Sequence, residues 1–89
     1  MYNKKYRLEN FEEFNGHNPV YATMLDCVCY PAYFNVGERG LFLYETGNLF
    51  EMPHRVHTSM VEEVQYTRDS KIVVTTQNTR LTFALILEE

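Results

Sequence analysis

Between residues 61 and 87 apolar side chains recur at every second position in three short runs separated by two turns, a pattern that fits an antiparallel meander and little else. The second turn, Gln77-Asn78-Thr79-Arg80, places an asparagine where positive φ is tolerated. A two-residue loop there sets Val74 opposite Phe83, Ile72 opposite Leu85 and Thr76 opposite Leu81. For the first turn, a three-residue loop Arg68-Asp69-Ser70 sets Val64 opposite Val74 and Tyr66 opposite Ile72. One face of the meander then carries Val64, Tyr66, Ile72, Val74, Leu81, Phe83 and Leu85; the other carries Glu63, Gln65, Lys71, Thr75, Arg80 and Thr82. This is the alternation of a half-solvated sheet, and a one-residue slip would exchange its faces. Val73, Ala84 and Ile86 fall on the polar side and need a cover.

Upstream, Leu8, Phe11 and Phe14 recur at helical spacing with Glu9, Glu12 and Glu13 facing away and Gly16 as a stop, which predicts a short amphipathic helix over 8–15. Two turns are not stable alone, so its apolar stripe must dock on the barrel or on Val73, Ala84 and Ile86. Asn18-Pro19 punctuates the chain, and Val20 to Tyr30 reads as a strand, with Met24 and Leu25 leaving a helix open. Asp26 requires a solvated or hydrogen-bonded place. Pro31 to Gly37 reads as a loop, Leu41 to Tyr44 as a strand, Glu45-Thr46-Gly47-Asn48 as a turn and Leu49 to Met52 as a return strand. Arg55 to Thr58 reads as a crossover, and Ser59 with Glu62 as a capping box on a single turn. The expectation is one domain over 1–89, mainly β: an antiparallel SH3-like barrel or curved sheet of about five strands over 20–87, with one short N-terminal helix.

Val36-Gly37-Glu38-Arg39-Gly40, then His57-Thr58-Ser59-Met60-Val61, then the tail from Ile72 to Phe83 resemble small, uncharacterised SH3-like β-barrel proteins encoded by phages and mobile elements of low-GC bacteria. The resemblance spans residues 34–86 and implies a fold and a bacterial genetic setting rather than an activity.

A chain of 89 residues buries a modest core, which seven Tyr and six Phe enlarge. The formal net charge of −4 and the scatter of basic residues argue against coating a phosphate backbone. No apolar run approaches the roughly 18 residues of a membrane helix, and the N-terminus lacks a signal-peptide core. A cytoplasmic protein without membrane contact is the expectation. Cys27 and Cys29, two apart on a strand, share a face and make a poor disulfide pair.

Those thiols with His54 and His57 supply the ligand types of a tetrahedral zinc site. The Cys-x-Cys spacing lacks the turn residues of a zinc knuckle, so buried thiols and surface histidines are expected and no metal or cofactor is assigned. Cys27 or Cys29 with one of His17, His54 and His57 and Asp26 exists as a parts list without implied geometry, so no catalytic residues are named. Aromatic residues around Tyr30-Pro31-Ala32-Tyr33-Phe34 suit a groove for peptides, with Asn35 and Glu38 at its rim. The function expected is a non-enzymatic protein-interaction module that uses Tyr30, Tyr33, Phe34 and Glu38 or a free sheet edge, the edge also permitting a homodimer. An acidic inhibitor that mimics nucleic acid is the alternative, if Glu9, Glu12, Glu13, Glu62 and Glu63 form one stripe. A nucleic-acid-binding barrel would instead need Lys4, Lys5, Arg7, Arg39, Arg55 and Arg80 to converge.

Overall fold

Each strand pairs antiparallel with the next in sequence, and the last returns to the first, so the sheet closes into a barrel. The computed structural model describes residues 4–45 and 52–86. In order these form β1 (Tyr6–Glu13), α1 (Pro19–Met24), β2 (Val28–Tyr33), β3 (Arg39–Tyr44), β4 (His54–Tyr66), β5 (Lys71–Thr76) and β6 (Thr79–Leu85). The turn expected at 45–48 and the return strand at 49–52 fall almost wholly outside the described residues, as do Glu88 and Glu89.

The meander of β4, β5 and β6 is present. Its first turn has the expected register, Val64 opposite Val74 and Tyr66 opposite Ile72, with Ser70 in the left-handed region at φ 63°. The second register differs from expectation by two residues: Ile72 faces Phe83, Val74 faces Leu81 and Thr75 faces Arg80. The loop is Gln77-Asn78, and Asn78 does not adopt positive φ. Hydroxyl chemistry sets it instead. Thr76 Oγ1 accepts the Thr79 N–H at 3.0 Å and the Asn78 N–H at 3.3 Å, closing the turn from within. A two-residue shift preserves parity, so Ile72, Val74, Leu81 and Phe83 still point inward and are buried. Tyr66 ends β4 beyond the core and is 77 % exposed, contrary to its assignment to the inner face.

The segment expected to be a helix at 8–15 is the strand β1, which closes the barrel against β6 with Leu8 opposite Phe83 and Phe11 opposite Leu81. A bulge between Leu8 and Asn10 adds one residue and moves the inward phase from even to odd positions. Leu8 and Phe11 thus both face the core three residues apart, which imitates helical spacing. They do not cover Val73, Ala84 and Ile86, which stay half-buried on the outer surface.

The short helix lies one segment later, where Val20 to Tyr30 reads as strand. Asn18 caps it, its side chain accepting the Val20 N–H at 3.1 Å, and Pro19 stands at its first position. α1 places Tyr21 and Met24 in the core, with the Tyr21 ring 5.9 Å from that of Phe11. It ends at Leu25, and Asp26 at φ 67° turns the chain into β2. The Asp26 carboxylate accepts from Arg7 Nη1 at 2.9 Å and is exposed, satisfying its need for a partner.

Residues 55–62, expected as a crossover and a capped turn, belong to the 13-residue strand β4. Its first half pairs with β3 and its second with β5. Register shifts occur along both pairings, so the buried positions Val56, Thr58 and Val61 do not keep a spacing of two. Where β4 changes partner, the Phe34 ring packs over Gly40. A Cβ on Gly40 would stand 2.6 Å from Phe34 Cδ1 and 2.8 Å from Thr58 Oγ1, too close for any other residue without displacement. Phe34 joins Phe42 and Phe83 in an aromatic core, with centroid separations of 5.2 Å for Phe42–Phe83 and 5.9 Å for Phe34–Phe83.

Candidate functional site

Among the described residues, closure of the barrel gives every strand two neighbours, which removes the free sheet edge expected as one interface. β1 meets β2 through Tyr6 with Cys29 and Arg7 with Val28. Further along β2, Pro31, which has no N–H to donate, pairs with Phe42 of β3.

Beside it lies a groove of about 240 Å³ formed by Tyr6, Pro31, Tyr33, Phe34 and Tyr66, with Lys4 at its rim. The expected interface residues separate here. Tyr30 is buried in β2 and bonds its hydroxyl to Glu45, and Phe34 is part of the aromatic core, so neither is a loop residue open to a partner. Tyr33 is 42 % exposed, and its hydroxyl donates to Glu38, which also accepts from Asn35 at 3.4 Å. The bond to the carboxylate holds the Tyr33 phenol above its ordinary pKa and fixes the ring. Backbone bonds Gly37 N to Val61 O at 2.9 Å and Val61 N to Glu38 O at 2.8 Å hold Glu38 against β4, and Gly37 takes the positive φ of 90° that this path needs. Tyr6 and Tyr66 complete the groove from β1 and β4. Sequence reading missed the first and placed the second in the core.

At the far end of β1 a second cavity of about 420 Å³ is walled by Glu13, His17, Arg39 and His57. A buried hydroxyl network underlies it. Ser59 Oγ donates to Thr76 Oγ1 at 2.8 Å and accepts the Asn78 N–H at 3.1 Å, and Thr76 Oγ1 lies 2.9 Å from Thr79 Oγ1. Tyr21 shares a hydrogen bond with the Thr79 side chain, and burial raises its pKa. Glu13 Oε2 lies 2.8 Å from His17 Nδ1 and Glu13 Oε1 accepts the Asn18 N–H at 3.2 Å. The bond to His17 is the main reason its carboxyl titrates below the usual range.

The residues weighed as metal ligands are spread apart. Cys29 is buried in the core, where loss of solvent pushes its thiol up to about 12, so at neutral pH it is a packed thiol rather than a thiolate. Cys27 is half-buried and donates to the Thr23 carbonyl. His54 stacks on Tyr44, while His57 walls the second cavity. Among the described residues no group of three or more His, Cys, Asp or Glu is placed to hold a metal ion.

The acidic residues of the outer surface alternate with cations. Glu9 pairs with Lys71 at 2.8 Å, and Glu12 with Arg80 at 3.6 Å. Along one cross-strand row Arg80 and Thr75 stand between Glu12 and Glu63, so the described carboxylates do not form an unbroken stripe. The basic residues do not converge either, since Arg7, Arg39, Arg55 and Arg80 lie on four different strands and Arg7 and Arg80 are paired with carboxylates. Among the described residues no helix is long and apolar enough to cross a membrane. No protein-family model, curated protein or solved structure matches the chain.

Proposed function

We propose that the chain is a non-enzymatic protein-interaction module whose groove, walled by Tyr33 and Tyr66, takes an extended segment of a protein partner. The observation that carries this reading is the exposure of these two rings, 42 % and 77 %, around a depression lined largely by aromatic side chains. Tyrosine binds well in such a setting because its rigid ring loses little entropy and its hydroxyl tolerates water before the partner arrives. The bonded Tyr33 is already oriented.

On this reading the barrel is of the SH3-like kind and acts in a bacterial cytoplasm, in keeping with the resemblance to phage and mobile-element barrels. The support for this is that the described strands within 39–85, β3 to β6, pair antiparallel in sequence order and that both cysteines are free thiols, as a reducing compartment keeps them. The nucleic-acid mimic finds less support, because Lys71 and Arg80 interrupt its acidic surface.

The test is selection of peptides from a random display library on the folded protein. Selected peptides should lose roughly tenfold or more in affinity on Tyr66→Ala and on Tyr33→Ala, while both variants melt within a few degrees of the parent because the rings are exposed. His57→Ala, at the other end of the barrel, should bind them normally. Peptides that bind the tyrosine variants as tightly as the parent, or a library that yields no binder, would refute the groove as the interface. Self-association abolished by Tyr66→Ala would make the partner a second copy of the chain.

A further inference from the structure

The cavity at the Glu13 end plays no part in the proposed groove, and it has the make-up of a small-molecule site. Its volume of about 420 Å³ lies in the range of ligand pockets. Its lining is mostly polar, with amides from Asn15 and Asn78 and the hydroxyl of Ser59. These groups are anchored from below. The Ser59 hydroxyl and the Asn78 backbone N–H are tied to the buried Thr76 hydroxyl, and Asn15 Nδ2 donates to the Gln77 carbonyl at 3.3 Å. A wall so held presents its donors and acceptors without the entropy loss of ordering them on binding.

The cavity lining holds one carboxylate, Glu13, and one guanidinium, Arg39, and they differ in what engages them. The Glu13 carboxylate is occupied by His17 and by the Asn18 N–H. Arg39 uses only its Nε, which donates to the Thr58 carbonyl at 3.0 Å, and among the described residues no carboxylate pairs with it. In a protein of net charge −4, where Arg7, Lys71 and Arg80 each have an acidic partner, this leaves a guanidinium fork available beside His57. Such a fork matches an oxyanion. The one Tyr or Phe ring in the lining, Tyr21, is buried and offers no open face on which a nucleobase could stack.

We infer that this cavity binds a small hydroxyl-rich anion of the sugar-phosphate class, with the anionic group on Arg39 and His57 and the hydroxyls on Asn15, Ser59 and Asn78. The test is a titration of the full chain, followed by backbone amide shifts, with glucose 6-phosphate, glucose and inorganic phosphate as separate probes. Glucose 6-phosphate should move the amides of Asn15, Ser59 and Asn78 in a saturable way, and bind roughly tenfold or more tightly than either of the others. Arg39→Gln should weaken it by a similar factor, and Arg55→Gln, outside the cavity, should not. His57→Ala serves as a second variant with the same expectation should Arg39→Gln disturb the fold. Binding of glucose 6-phosphate no tighter than phosphate, shifts centred outside the cavity, or full affinity in both cavity variants would each overturn the assignment.

Discussion

Replacing Phe83 by alanine should lower the unfolding free energy by about 3–5 kcal/mol. The ring is fully buried and meets Phe42 edge-on at 5.2 Å and Phe34 at 5.9 Å. Its backbone is held on both sides, by Leu8 of β1 at the closing seam and by Ile72 of β5. Neighbours fixed in this way relax little into the void, which places the loss at the upper end of large-to-small substitutions. For a small domain with roughly 5–15 kcal/mol in total, such a loss would shift the denaturation midpoint far toward lower denaturant at a similar slope. A loss below about 1 kcal/mol would mean that the ring is not central to the core. Tyr33→Ala, which removes a ring of the same size from an exposed site, provides the contrast and should leave the midpoint close to that of the parent.

The second large effect concerns a hydroxyl. Thr76→Val keeps the shape of a side chain that is 0 % exposed but removes the oxygen that accepts the Thr79 and Asn78 N–H groups and the Ser59 hydroxyl. Asn78 N and Ser59 Oγ still have each other at 3.1 Å, whereas the N–H of the buried Thr79 would lose its side-chain partner. Loss of this side-chain acceptor in the β5–β6 turn, together with loss of the hydroxyl network, should cost about 1–3 kcal/mol in denaturant unfolding. Thr76→Ser retains the oxygen and should cost clearly less. Should the valine variant prove as stable as the parent, the hydroxyls do not set the turn, and the two-residue change of register needs another cause.

The sequence was legible where alternation ran unbroken and misleading where bulges interrupted it. β5 and β6 alternate cleanly over Ile72 to Thr76 and Leu81 to Phe83, and their faces were correctly assigned although the pairing was two residues out. In β1 one inserted residue turned the separation of Leu8 and Phe11 into three, which is also the spacing of a helix face. Register shifts along β4 likewise hid a single strand behind what looks like a crossover and a capping box. The groove was half visible. Tyr33 and Glu38 belong to the aromatic segment singled out for binding, but Tyr6 and Tyr66 come from strands remote in sequence. Phase with Val64 assigns Tyr66 to the core, whereas its place next to the polar turn at Thr67 is the sign in the sequence that it ends outside. The second cavity gathers side chains from β1, the segment after it, β3, β4 and the β5–β6 turn, so no local pattern announces it.

Both proposed sites depend on closure of the barrel through β1 and β6, because that seam sets Tyr6 at one end and Glu13 at the other. Backbone nuclear Overhauser contacts across the seam test it most directly. The account predicts cross-strand contacts between Leu8 and Phe83 and between Phe11 and Leu81, with amides of β1 protected from exchange. Sequential helical contacts over residues 8–15, with no cross-strand contact to β6, would contradict it.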